Sequence, residues 1–414
     1  MSAPAPGSDA GGARAQFRRL AVLIAIAAVD MIGFAIILPI LPFYVLDLDA
    51  TPFVVGVITA AFSGAQILAS PIWGRVSDHY GRRPVLLVGL LASAAAYVVF
   101  GLATSIWLLL LSRIIQGAGG GTTGVAQAYI TDTVDASYRA RALGWLSAAT
   151  SAGVMLGPML GSWAAHWGRA APGFVAAALC LLNALFAWRW LPESRRPTSG
   201  PPRPRQPIWH AAWQVVRHPG TPTAQMIWIY GVGMLAFSAL TSVLALYLGR
   251  RFGVTATTIG PFFLYVGGLS VVLRSLLLGP VVDRIGETWA TRLGALALIV
   301  GLLLYPLAGS IPVLLLIMPL VPVGTALLFP ATTSLLAAAT DPAETGTVMG
   351  VAQTWAGMAR VAAPLLATAA FQLADWLPFV MGALTVAVVT VLTFRLPVAP
   401  PRRPRPDASR GPAA

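Results

Sequence analysis

Long apolar runs alternate with short charged links along the whole chain, and that alternation leaves few folds open to it. A bilayer core of about 30 Å is spanned by roughly 20 apolar residues in a helix, and twelve such runs can be drawn. They fall near residues 20–43, 52–72, 84–104, 106–129, 141–165 and 171–191, then 223–248, 258–280, 289–309, 311–334, 345–372 and 376–396. Only 10% of the 414 residues are charged, against roughly 25% in soluble domains, too few to coat a water-facing surface. The expectation is an all-α integral membrane protein whose first partner is the lipid bilayer.

The basic residues orient it. All 27 are arginine. Three precede the first run, three follow the second, two the fourth, six lie between the halves, two follow the eighth and five follow the twelfth. Only Arg169, Arg250 and Arg251 fall on the other side, while Arg113, Arg274 and Arg360 lie inside runs. Positive charge collects on cytoplasmic loops, so both termini are expected in the cytoplasm, with the protein in the inner or plasma membrane. The net charge of +13 is then a loop property and implies no nucleic acid partner.

Residues 1–17 and 397–414 read as disordered cytoplasmic ends. The first run has no evident small-residue cleavage site, which predicts a retained helix. Residues 192–222 form the one long linker. Within it Ile208, Trp209, Ala212, Trp213 and Val216 have the spacing of an amphipathic surface helix. The linker divides a bundle over 18–191 from a second over 223–396.

The halves repeat. Gly279 to Gly286 is a worn copy of Gly74 to Gly81, with Asp283 matching Asp78 at an offset of 205, and Arg284 beside it. Gly144 and Pro158 have counterparts in Gly350 and Pro364, both at an offset of 206. Near-constant spacing close to half the length argues for duplication, and two parallel six-helix bundles about a central site are expected of such a repeat.

Polar residues inside apolar runs are costly and mark candidate chemistry. Asp30 lies ten residues into the first run, roughly 15 Å deep at about 1.5 Å per residue. Apolar surroundings favour a neutral carboxyl and a nearby cation favours the anion, so a group between those influences can load and release a proton. Arg113 and Gln116 share a face of the fourth run, with Arg113 about 10 Å below the outer surface, and an ion pair with Asp30 is expected. Gly153, Gly157 and Gly161 form a stripe on the fifth run, with Pro158 expected to bend it. Arg274 and Arg360 could meet an anionic group or helix-end carbonyls. Gln66, Gln127, Gln353, Tyr129, Phe237, Tyr265 and Trp355 are candidates for a substrate cavity, and for each one packing is the plainer role.

Enzyme chemistry finds no constellation. His79, His166, His210 and His218 lack metal spacing. A phosphate-binding loop of the Gly-Lys-Ser/Thr kind cannot exist without lysine, and Cys180 is the only cysteine. No metal and no cofactor are expected.

Gly74-Arg75-Val-Ser-Asp78-His-Tyr-Gly81-Arg82-Arg83 is expected to be a short turn, its glycines permitting tight geometry. It resembles the signature between helices 2 and 3 of the major facilitator superfamily. Arg113-x-x-Gln116-Gly resembles that family's helix 4 signature. The segment from Asp30 to the prolines at 39 and 42 is similar to helix 1 of tetracycline/proton and related multidrug/proton antiporters. Gly153-x-x-x-Gly157-Pro158-x-x-Gly161 resembles the helix 5 signature of antiporters, departing at Ser162, where a second glycine is common.

The resemblance implies twelve helices in two bundles related by a pseudo-two-fold repeat. It implies drug/proton antiport, driven by the proton gradient, of small amphipathic organic compounds by a monomer. Asp30, Arg113 and Gln116 would couple the proton, and Arg75, Asp78, Arg82, Arg83, Asp283 and Arg284 would gate. Runs 84–104 and 289–309 carry no acid, unlike the tetracycline pumps, which argues against tetracycline and for one proton per cycle. A sugar-type facilitator or importer on the same scaffold and, more distantly, a non-transporting receptor are the alternatives.

Overall fold

The computed structural model describes residues 8–194, 213, 215–276, 278–341 and 344–395, with the backbone alone for 8–16, 136 and 137. The helix expected over residues 208–216 and the tail beyond 396 fall wholly or mostly outside the described residues.

All regular structure among the described residues is helical. The first half comprises α1 (Ser8–Ile37), α2 (Leu41–Leu46), α3 (Pro52–Tyr80), α4 (Arg82–Gly101), α5 (Ile106–Gly119), α6 (Thr122–Thr133), α7 (Ala136–Ala164) and α8 (Ala171–Trp190). The second comprises α9 (Pro222–Phe252), α10 (Gly260–Leu276), α11 (Leu278–Leu304), α12 (Ile311–Ile317), α13 (Leu320–Ala338), α14 (Thr345–Leu373) and α15 (Leu377–Thr393). Each apolar run is found as a helix or a broken pair of helices. Nine helical segments among the described residues are long and apolar enough to cross a membrane, and α10 and α15 are shorter apolar helices of 17 residues each. The fourth run is split into α5 and α6.

The breaks follow local chemistry. Pro39 stands between α1 and α2, and Pro319 between α12 and α13, where a missing N–H interrupts the ladder. Gly120 and Gly121 separate α5 from α6. α7 runs unbroken through Pro158. α1 begins at Ser8, so residues 8–17, expected without regular structure, extend the first helix. The expected turn over 74–84 contracts to one residue. Gly81 alone leaves the helix, at φ +102°, while Gly74 is helical with open space around its α-carbon. Nothing between them breaks the backbone ladder of α3. The duplicate break is Gly286 at φ +78°, which falls 205 residues later inside α11.

The chain forms two compact units. The first takes residues 1–203 with 242–268 and 364–372, and the second takes 204–241, 269–363 and 373–414. In the first unit α1 packs on α7 and α8, α4 on α5 and α8, and α3 on α5. Its core joins Leu23, Ile26, Leu86, Leu90, Ala126 and Leu146 from several helices. The stretch 242–268 joins this unit through Ser162, whose hydroxyl donates to the Ala256 carbonyl at 2.8 Å and accepts from the Gly260 amide at 3.1 Å. In the second unit α11 packs on α13 and α15. Gly294 and Gly324 bring α11 and α13 together, since a β-carbon on Gly294 would lie 2.6 Å from the Leu328 amide nitrogen.

Candidate functional site

Asp30 lies in α1, seven residues before its end, and is 8% exposed. Its Oδ2 accepts a hydrogen bond from Thr122 Oγ1 at 2.9 Å. Thr122 is the first residue of α6, so the glycine break in the fourth run places a helix N-terminus beside the carboxyl group. That end carries partial positive charge and favours an anion. Gly89 of α4 makes room for the threonine, because a β-carbon there would lie 2.6 Å from Thr122 Cγ2. Leu86, Leu90, Ala126 and Thr150 border the same cavity of about 20 Å³, room for roughly one water molecule.

Arg113 does not form the expected ion pair with Asp30. It is 4% exposed and its guanidinium lies over two aromatic rings, 5.2 Å from the Phe100 centroid and 5.9 Å from that of Tyr97. Its Nε approaches Ser112 Oγ at 3.4 Å, and its Nη2 is buried without a hydrogen-bond partner. Gln116 Nε2 donates to the Tyr97 hydroxyl at 2.5 Å, leaving its own Oε1 buried and unpartnered. Tyr97 therefore meets Gln116 through its hydroxyl and Arg113 through its ring. The aromatic faces of Tyr97 and Phe100 on α4 offer the guanidinium a cation–π seat, so depth alone did not select its partner.

The glycine stripe of α7 seats the helix that carries Asp30. A β-carbon on Gly153 would lie 2.5 Å from the Ala28 carbonyl oxygen, one on Gly157 2.5 Å from Ala35 Cβ, and one on Gly161 against the Ile36 carbonyl. On α1 itself, Gly33 admits Cys180 Sγ and the Tyr97 ring.

A second polar cluster surrounds Arg82. Its Nη1 meets Asp78 Oδ1 at 2.8 Å and Ser77 Oγ at 2.6 Å, and its Nε meets Asp132 Oδ2 at 2.9 Å. Glu193, just beyond α8, accepts from the backbone amides of Arg82 at 2.8 Å and Arg83 at 3.1 Å. Those amides open α4 and have no partner within the helix. Arg83 donates to the Trp188 carbonyl, whereas Arg75 is exposed. One arginine thus ties α3, α4 and α6 together, and one glutamate ties α4 to the segment after α8.

The family model of the Major Facilitator Superfamily matches residues 23–322 and 272–413. The chain belongs to the major facilitator superfamily. It is 29% identical over 363 residues to the tetracycline resistance protein, class C, of Escherichia coli, covering 85% of this chain and 89% of that protein. It is also 29% identical over 385 residues to multidrug resistance protein 2 of Bacillus subtilis (strain 168), covering 90% and 94%. Among solved structures it resembles the human organic anion transporter MFSD10 (TETRAN), with a TM-score of 0.68 and 24% identity over 91% of this chain and 99% of that one. It is a multi-pass membrane transporter, not an enzyme, with the two six-helix bundles of the superfamily.

Against this major facilitator frame the remaining sequence candidates divide. Gln66 Nε2 donates to the Gly120 carbonyl at 3.3 Å, satisfying a group near the α5–α6 break. Tyr129 is buried and donates to the Pro192 carbonyl at 2.8 Å, so it anchors the chain after α8. Gln127 is exposed. In the second unit Phe237 is half-buried, 6.2 Å from the Phe329 ring, and Trp355 stands 4.4 Å from Trp228. Arg274 and Arg360 are exposed, and Gln353 Nε2 donates to the Tyr230 hydroxyl at 3.3 Å. Tyr265, which falls in the first unit, is exposed as well. Asp283 and Arg284 are both exposed and make no ion pair with each other, so the worn copy keeps its glycine break but not the cluster. At the position 205 residues after Arg82 stands Glu287, buried, whose Oε1 accepts from Ser334.

Four residues of the polar clusters escaped the sequence reading: Thr122, Tyr97, Asp132 and Glu193. The signal for Thr122 was present in the glycine triplet before it, which predicts a break and hence a helix start. Nothing local distinguishes the other three.

Proposed function

We propose that this transporter exports amphipathic organic compounds in exchange for protons, with Asp30 as the coupling group. The observation that carries the reading is the setting of that carboxyl: buried in α1, held by one hydroxyl, paired with no cation among the described residues, and beside room for a water. Apolar burial favours the neutral acid, while the Thr122 donor and the end of α6 favour the anion. Loading and release of a proton need that balance. Tyr97, Gln116 and Arg113 form a separate buried polar group on α4 and α5.

The distribution of arginines supports cytoplasmic termini and a cytoplasmic position for the Arg82 cluster. There it would hold α3, α4 and α6 as one body while the transporter opens outward. Inward proton movement supplies about 2.3 kcal/mol per 100 mV, enough for roughly a 50-fold gradient of a neutral compound.

The test is proton release from detergent-purified protein on adding lipophilic drugs of both charge signs, wild type beside Asp30→Asn. Release from the wild type that is lost in the variant is the expected result. Release that persists in the variant removes Asp30 from the mechanism. A wild type that binds drugs without releasing protons is an uncoupled facilitator.

A further inference from the structure

One buried arginine of the second unit has no part in the coupling just described. Arg292 stands on α11, six residues after the Gly286 break. Its Nε and Nη2 both donate to the carbonyl of Thr393, at 3.3 and 3.0 Å. Thr393 is the last residue of α15, so that carbonyl has no partner within its own helix. The same guanidinium lies 4.8 Å from the ring centroid of Trp289, one turn earlier on α11, and 4.8 Å from that of Phe394, just past α15. The residue 205 positions earlier is Leu87, so the duplication does not account for this arginine.

The bonds to Thr393 use one edge of the planar group. Nη1 has no hydrogen-bond partner among the described residues and is not shut in by protein, so it opens to the surface. Nη1 and the remaining N–H of Nη2 therefore make a second fork that is unused. Arg292 has no carboxylate partner among the described residues, and Glu287, the acid nearest to it along α11, is buried and accepts from Ser334. The rings beside the guanidinium stay open, Trp289 being 46% exposed and Phe394 65%. Arg395, also exposed, directly follows Phe394. Charged donors between two exposed aromatic rings, near the ends of two apolar helices, combine phosphate recognition with the chemistry of a membrane interface.

We infer that the open fork of Arg292, flanked by Trp289 and Phe394, binds the phosphate of an anionic phospholipid. The planar fork matches two phosphate oxygens in parallel hydrogen bonds. A dissolved phosphate gains from the fork alone, whereas a phospholipid also lays apolar surface against the two rings. A zwitterionic phospholipid carries its own cation into a site that already holds an uncompensated one, which disfavours it. With both termini cytoplasmic, as proposed above, the site lies in the leaflet where anionic lipid concentrates. Bound lipid then meets the one side chain that joins α11 to the end of α15. The site is separate from the proton and from the exported compound.

The experiment is native mass spectrometry of full-length protein in neutral detergent, with phosphatidylglycerol or phosphatidylcholine of the same acyl chains added. Wild type is expected to retain phosphatidylglycerol about tenfold better, the worth of one charged hydrogen bond, and Arg292→Gln to lose that preference. Phe394→Leu leaves the arginine and its bonds to the Thr393 backbone in place, and should weaken phosphatidylglycerol about threefold through the lost ring. Should Arg292→Gln fail to fold for want of the cap on α15, Arg292→Lys carries the test. It keeps the charge without the fork, and should bind phosphatidylglycerol more weakly than wild type and with steeper salt dependence. Four results overturn the inference: equal retention of the two lipids by wild type, undiminished phosphatidylglycerol in the Arg292 variants, undiminished phosphatidylglycerol in Phe394→Leu, which would leave Arg292 a helix cap alone, or displacement of the lipid by inorganic phosphate, which would make the fork a site for free anions. Lipid retention in detergent needs no gradient and no drug, so its failure leaves the proton-release experiment standing, and the reverse holds equally.

Discussion

Thr122 Oγ1 donates to Asp30 Oδ2 across 2.9 Å, and the threonine is there because a glycine pair ends α5 and starts α6 just before it. The expected partner, Arg113, is held on the faces of Tyr97 and Phe100 instead. Thr122→Val keeps the shape and removes the donor. It should lower stability by about 1–3 kcal/mol, the cost of an unsatisfied buried acceptor, and slow drug-driven transport about tenfold. Thr122→Ser, which keeps the hydroxyl, should stay within about twofold. Efflux from inverted vesicles, with thermal midpoints in detergent, measures both.

The two glycines of the 74–81 segment should behave in opposite ways. Gly81 has φ +102°, and a β-carbon there would lie 2.5 Å from Glu193 Oε2. Gly81→Ala is strained in backbone and in space, and a loss of about 2 kcal/mol is expected. Gly74 is helical, and a β-carbon added to it would meet nothing within 4 Å, so Gly74→Ala should gain up to about 1 kcal/mol from helix propensity. Thermal midpoints of the two variants should move to opposite sides of the wild type.

Arg82 and Arg75 make a similar contrast. Arg82 is buried with two carboxylates and a serine on its guanidinium. Arg82→Ala leaves Asp132 and Asp78 without it and should cost about 3 kcal/mol. Arg82→Lys keeps a charge without the fork and should recover part of that. Arg75 is exposed, and Arg75→Ala should change stability by no more than about 0.5 kcal/mol. Equal effects at both sites would mean that the cluster acts through charge number and not through geometry.

Helices were legible in the sequence because their signal is local: uninterrupted apolar length, with proline and glycine marking the breaks. The duplicated Gly81 and Gly286 breaks were legible for the same reason. Depth was legible too, and it led to the wrong partner for Asp30. Counting residues from the start of a run gives height in the bilayer but not rotation about the helix axis. Partners recruited across the fold carry no local mark: Glu193 lies 111 residues from the Arg82 amide it caps, and Asp132 lies 50 from the same arginine. Tyr97 sits among apolar residues of α4, where an aromatic side chain reads as packing until the elements are assembled.

The glycine stripe of α7 bears on the same point, since its familiar pattern and its packing make different predictions. Gly157 faces α1 closely, and a β-carbon on it would lie 2.5 Å from Ala35 Cβ and 2.7 Å from the Ile32 carbonyl oxygen, atoms that cannot rotate away. Gly157→Ala must separate α7 from the helix that carries Asp30, at about 1–3 kcal/mol, and transport should fall with the thermal midpoint. Ser162 departs from the pattern, yet its hydroxyl joins α7 to Ala256 and Gly260. Ser162→Gly would bring the chain closer to the familiar pattern while removing both bonds. If packing governs this helix, that variant loses about 1–2 kcal/mol despite matching the pattern better, and a neutral or stabilising result would return the stripe to a role beyond packing.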